Sequence, residues 1–164
     1  MFNFFKKHEK VDWTPKTFLA PADGAVVALA DVSDPVFSQK AMGDGFGLTP
    51  STNEIYSPVS GQVTMVADTK HGIGITTDDG EEVLVHMGID TVELKGAPFT
   101  VKVAAGDHID AGAELAVMDR QAVSAAGKDT TIIVVVTNSL DKGWSVDLTA
   151  SGTVEHDAVV ATLK

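Results

Sequence analysis

The chain has 164 residues, 44% of them hydrophobic, which suits one domain with a sizeable core. It contains no cysteine, so disulfides, thiol catalysis and thiolate metal sites are excluded. Against 23 acidic residues stand 12 basic ones, a formal charge of −11 that argues against nucleic acid as a partner and favours basic protein surfaces. Neither a membrane-spanning apolar run nor the apolar core of a signal peptide is visible, so a cytoplasmic protein is expected.

Residues 1–17 read as a basic extension. On a helical wheel, Phe2, Phe4 and Phe5 of "MFNFFKKHEK" fall on one half and Lys6, Lys7 and Lys10 on the other. This pattern predicts weak peripheral contact with an anionic membrane, placing the protein at its inner face. Residues 18–164 form the domain proper. Short Val/Ile/Thr-rich runs follow one another, cut by glycine and Asp/Ser turns: "GAVVALA", "GQVTMVA", "GIGITT", "EVLVHM", "TIIVVVT", "WSVDLTA". They predict an all-β fold, an antiparallel sandwich or barrel. "APADGAVVALADV" from Ala20 matches "SPVSGQVTMVADT" from Ser57, so a duplicated turn-and-strand unit is expected. One or two short helices fit as well. Asp34 can cap a turn with Pro35 at its first position, and Asp119 can cap "RQAVSAA", with Gly127 beyond its end. "GDGFG" (43–47) lacks the Lys-Ser/Thr ending of a phosphate loop and reads as a tight β-turn.

The histidines carry the functional signal. His8, His108 and His156 lie in polar or turn-rich stretches and read as surface residues. His86 instead interrupts the apolar run Val83–Met87, and His71 lies across a hairpin whose turn is "DDG". A two-residue loop puts both imidazoles on one sheet face, with Thr69, Ile73, Ile75 and Leu84; a three-residue loop puts them on opposite faces. Three readings stay open for such a pair. The rings are satisfied core histidines; or they bind zinc, with Asp90 or a partner's carboxylate as third ligand; or one ring is a nucleophile and the other a hydrogen-bond donor to developing charge. Phosphoryl is the natural electrophile for the third reading.

"LVHMGIDTVELKG" (84–96) closely resembles the active-site segment of the glucose-type enzyme IIA (EIIA) of the bacterial phosphoenolpyruvate:sugar phosphotransferase system. "DVSDPVFSQKAMGDGFGLTP", "YSPVSGQV", "DTKHGIGI" and "VVVTNSLD" extend the likeness from about Leu19 to Leu163. The resemblance implies a phosphocarrier that needs no cofactor. His86 would accept phosphoryl from the phosphocarrier protein HPr as a transient phosphohistidine on Nε2, and pass it to the IIB domain of a sugar permease. His71 would bond the phosphoryl group, Thr69 would orient His71, and the Gly88 carbonyl would set the tautomer of His86. Val36, Phe37, Met42 and Val92 would contact partners, with Phe37 exposed, inside an acidic rim of Asp34, Asp90 and Glu93. Family members also regulate other proteins according to phosphorylation state. Two rival β folds are weaker: a lysostaphin-type metallopeptidase needs a His-x-His pair, and a biotinyl or lipoyl carrier domain needs a lysine in a Met-Lys-Met or Asp-Lys-Ala hairpin, and neither pattern occurs.

Overall fold

The computed structural model describes residues 11–164, so the amphipathic run over residues 2–10, and His8 with it, lie outside the described residues. Fourteen short strands follow in chain order: β1 (Thr17–Leu19), β2 (Gly24–Ala28), β3 (Asp44–Pro50), β4 (Glu54–Tyr56), β5 (Gly61–Val66), β6 (Gly72–Thr76), β7 (Glu82–Ile89), β8 (Phe99–Val101), β9 (His108–Ile109), β10 (Glu114–Met118), β11 (Asp129–Val136), β12 (Val146–Leu148), β13 (Thr153–Val154) and β14 (Val159–Leu163). They form an eight-stranded sheet in the order β13-β2-β3-β11-β7-β6-β5-β9 and two three-stranded sheets, β1-β14-β12 and β4-β10-β8. Every pairing is antiparallel, as the run-and-turn spacing predicts.

The duplication is written in the backbone. Leu19 N donates to Pro58 O, and in the other copy Tyr56 N donates to Pro21 O, so the two proline turns clasp each other. A second pair of segments obeys the same symmetry. Ala20 N donates to Ala158 O as Ser57 N does to Ala113 O, and Asp157 N returns to Ala20 O as Gly112 N does to Ser57 O. Accordingly β13 edges β2 where β9 edges β5. Gly24 and Gly61, the repeat's shared glycines, lie against the carbonyls of Thr49 and Thr76 with no room for a Cβ. That close approach is why the repeat keeps glycine there.

Strand β7 lies between β11 and β6, with Val83, Val85 and Met87 fully buried on one face and Leu84 and His86 half-buried on the other, which is why it reads as a near-continuous apolar run. Val83, Val85 and Met87 enter the main core with Ile73, Ile75, Ile132 and Val134. Leu84 faces the other way, toward a smaller cluster of Leu29, Val32, Phe37, Ile89, Ile133 and Val135. "GDGFG" is not a turn. Its last four residues open β3, and Gly45 presses on the Val134 carbonyl of β11.

Helix α1 (Pro35–Ser38) is too short to stand alone, and Asp34 defines its start by accepting from Val36 N and Phe37 N. Helix α2 (Arg120–Ala125) is capped by Asp119 as expected, with Gly127 in the left-handed conformation beyond it. A third helical turn, α3 (Ser139–Lys142), adds to the two expected from the sequence. Phe37 corrects the sequence reading. Expected as an exposed partner contact, it is only 6% exposed and belongs to the smaller cluster. An aromatic one turn from a cap can point either way; here α1 folds over the sheet, so Phe37 points inward. Phe37→Ala should cost about 3–5 kcal/mol and lower the melting temperature on the order of 10 °C. Thermal unfolding checks this, and an unchanged midpoint would return Phe37 to the surface.

Candidate functional site

The β6–β7 hairpin does not have the loop expected to bring the histidines together. Thr77 N donates to Glu81 O and Thr76 pairs with Glu82, so the loop is the three residues Asp78–Gly80. Gly72, not His71, therefore stands opposite His86. Ile73 and Ile75 fall on the main-core face, away from His86, which shares its face with Leu84 and its β11 neighbour Ile133. Strict alternation would also turn His71 away. It escapes because it sits on the bend before β6, preceded by Lys70 at φ +63°. Gly72 leaves the space opposite His86 free of a side chain, and the two rings meet edge to face at 5.0 Å between centroids.

Each ring is held by one nitrogen. His86 Nδ1 lies 2.8 Å from the Gly88 carbonyl oxygen. A carbonyl only accepts, so Nδ1 carries the proton and Nε2 keeps its lone pair. His71 Nδ1 lies 2.6 Å from Thr69 Oγ1, a hydroxyl able to donate or accept. When Thr69 donates, His71 presents Nε2–H as a donor. Phe37 closes the site from the side, its ring centroid 4.9 Å from that of His86.

Burial lowers the pKa of both imidazoles from the ordinary 6.5. For His86, the neighbouring His71 lowers it further, while the Gly88 carbonyl, Asp34 and Asp90 pull the other way without prevailing. Both rings are therefore neutral at pH 7, the state a nitrogen nucleophile needs.

The other predicted residues frame this pair. Val36, Met42 and Val92 are exposed apolar side chains, at 51%, 39% and 48%. Asp34 is committed to capping α1 and Asp90 opens the 3-10 turn Thr91–Leu94, while Glu93 is tied to Lys128 Nζ at 2.8 Å. Among the described residues, no group of three His, Asp or Glu side chains is placed to hold a metal ion. A zinc ion on His71 and His86 would need further ligands from a partner or solvent. His108 is exposed on β9, whereas His156, expected on the surface, is half-buried, stacked on Tyr56 at 4.0 Å and 2.9 Å from Asp157.

One supporting residue escaped the sequence reading. Asp129 accepts from Thr131 N and Oγ1 and from Ser33 Oγ, and these bonds hold its carboxyl below the usual range although burial pushes it up. It thereby ties the loop before α1 to the strand beside Gly88. The Asp-x-Thr spacing of an Asx-turn was a usable signal.

The family model described as phosphoenolpyruvate-dependent sugar phosphotransferase system, EIIA 1, matches residues 16–142. The glucose-specific EIIA component of Staphylococcus aureus is 40% identical over 129 residues, 79% of this chain and 77% of that protein. The glucose-specific EIICBA component of Streptococcus pneumoniae is 50% identical over 143 residues, 87% of this chain; the chain spans about a fifth of its length, 20%. The solved glucose permease IIA of Mycoplasma capricolum superposes with a TM-score of 0.80 at 34% identity, over 88% of this chain and 93% of that one. The chain belongs to the EIIA 1 family of the sugar phosphotransferase system, and the antiparallel fold and glucose-type resemblance read from the sequence are borne out.

The pKa directions carry a prediction. A native pKa below the unfolded value means the unfolded chain takes up the proton first as pH falls. The stability these rings contribute is therefore complete above pH 6.5 and is lost as pH falls through the native values. In a ring-proton NMR titration both histidines should show midpoints below 6.5. A midpoint above it for either ring would contradict the burial argument.

Proposed function

We propose that His86 is the phosphoryl acceptor and that His71 steadies the transferring group. The observation that carries this reading is the bond from His86 Nδ1 to the Gly88 carbonyl, because it leaves Nε2 as the lone-pair nitrogen. The donor is phospho-HPr. As the His86 Nε2–P bond forms, the donor's N–P bond breaks and its ring leaves with the bonding electron pair. Nδ1 keeps its proton throughout, so the His86 ring becomes cationic and its bond to the Gly88 carbonyl becomes charge-assisted. His71 Nε2–H donates to a phosphoryl oxygen, with Thr69 donating to its Nδ1. Both ring nitrogens are then occupied and no proton transfer is required.

The second transfer goes to the IIB domain of a sugar permease. The EIICBA naming of the streptococcal relative supports a IIB partner, and glucose is the sugar its name gives. Val36, Met42 and Val92 form the apolar docking rim and Asp34 and Asp90 the acidic one, facing basic groups on HPr and IIB. Phe37 contributes from the side by packing against His86 rather than by touching a partner. Phosphate on His86 adds negative charge beside this rim, which would let regulatory partners read the phosphorylation state. The basic aromatic run over residues 2–10 would hold the protein weakly at the anionic inner face of the membrane, where the permease lies.

With phosphoenolpyruvate, enzyme I and HPr, the protein should gain one acid-labile phosphoryl group by mass spectrometry. His86→Ala should gain none while keeping its fold, and uptake of one phosphate by this variant would overturn the assignment. His71→Gln should still accept phosphate but pass it on roughly 10²–10³-fold more slowly. Mapping of the phosphate to His71 would reverse the roles.

A further inference from the structure

The bond that selects the nucleophilic nitrogen depends on an unusual piece of backbone. Gly88 sits near the end of β7 at φ +79°, so its carbonyl leaves the strand's regular direction and meets the His86 ring two residues back. Something must hold that turn, because a glycine with no side chain cannot hold itself.

Thr91 is fully buried, 0% exposed, in the 3-10 turn Thr91–Leu94 just beyond the strand. Its Oγ1 donates to the Met87 carbonyl at 2.6 Å, which fixes the peptide plane on the N-terminal side of Gly88. Its Cγ2 methyl fills the space where a Cβ on residue 88 would lie, and the Asp129 carbonyl closes that space from the other side, 3.1 Å from the same point. On the C-terminal side Ile89 pairs with Asp129 of β11, anchoring the next part of the strand. The Gly88 carbonyl is thus suspended between one plane pinned by a hydroxyl and one residue pinned by the sheet.

We propose that Thr91 is a positioning residue for phosphoryl transfer: its hydroxyl, through Met87, aims the Gly88 carbonyl at His86 Nδ1 and so keeps the His86 proton off Nε2. The proposal rests on His86 being the acceptor. A buried threonine that served only packing would be replaced by valine at little cost, since the two side chains have nearly the same shape. A hydroxyl that sets the tautomer would not.

The test uses the full chain, with His86 observed first without any phosphate. Long-range 1H–15N spectra report which ring nitrogen carries the proton, so this readout does not depend on whether His86 is the acceptor. In the wild type the proton should reside on Nδ1. Thr91→Val should shift a measurable share of it to Nε2 and slow phosphate uptake from HPr roughly 3- to 10-fold, the loss expected for one neutral hydrogen bond. Thr91→Ser, which keeps the hydroxyl and loses the methyl, should keep the Nδ1 tautomer. An unchanged tautomer and an unchanged rate in Thr91→Val would overturn the proposal. Should the valine variant not fold, a Thr91→Ser variant that shifts the proton would overturn it as well. Wild-type protein that shows the Nδ1 tautomer yet takes up no phosphate would instead count against His86 as acceptor.

Discussion

A single backbone carbonyl decides which nitrogen of His86 keeps a free lone pair. Imidazole has two nitrogens of similar basicity, and in water both tautomers are populated. The Gly88 carbonyl breaks that near-degeneracy because it can only accept, and its 2.8 Å contact with Nδ1 leaves the Nε2 lone pair available. Much of the local architecture serves this contact. Glycine is needed at 88 for a φ of +79°, β11 supplies Asp129 against it, and Phe37 holds the ring from the side. Burial lowers the pKa of this ring although Asp34 and Asp90 pull it up, so His86 stays neutral at pH 7 beside two acidic groups.

The duplicated frame explains why the site sits where it does. The two clasped proline turns and their matching second pair of segments bring β2 and β5 into equivalent places, flanking the central strands β3, β11, β7 and β6. His86, the proposed acceptor, lies on the central strand β7, while His71 lies on the bend that closes the β5–β6 hairpin. One ring is thus fixed by a strand inside the sheet and the other by a short turn. That division suits the transfer proposed above, in which the acceptor stays fixed and the hydrogen-bond donor follows the moving group. The outer face of the sheet also stays thinly covered around His86, with α1 on one side and the glycines of β6 on the other.

Local patterns in the chain were informative where local chemistry governs. Asp34 with Pro35, and Asp119 with Gly127, marked helix ends because caps are decided by a few adjacent residues. His86 stood out because a titratable ring inside an apolar strand needs a reason. What depends on distant pairing was not legible. The fate of Phe37 turns on how α1 folds over β11, and "GDGFG" enters a strand because Gly43 and Gly45 meet the carbonyls of Val136 and Val134 on the distant β11. The two-residue loop expected to join His71 and His86 does not occur: the loop has three residues, and only the bend at Lys70 and His71 restores the contact. Reading Gly112 and Asp157 as equivalent positions, a glycine and an aspartate both at positive φ, required the hydrogen-bond pattern, since their identities differ.

The proposed transfer turns on the identity of one nitrogen. A long-range 1H–15N spectrum of the phosphorylated protein, with phosphorus coupling to mark the bonded atom, reads it directly. The phosphoryl group should be found on Nε2 of His86, with Nδ1 still protonated and shifted as expected for a bond to the Gly88 carbonyl. Phosphate on Nδ1 of His86, or on either nitrogen of His71, would contradict it.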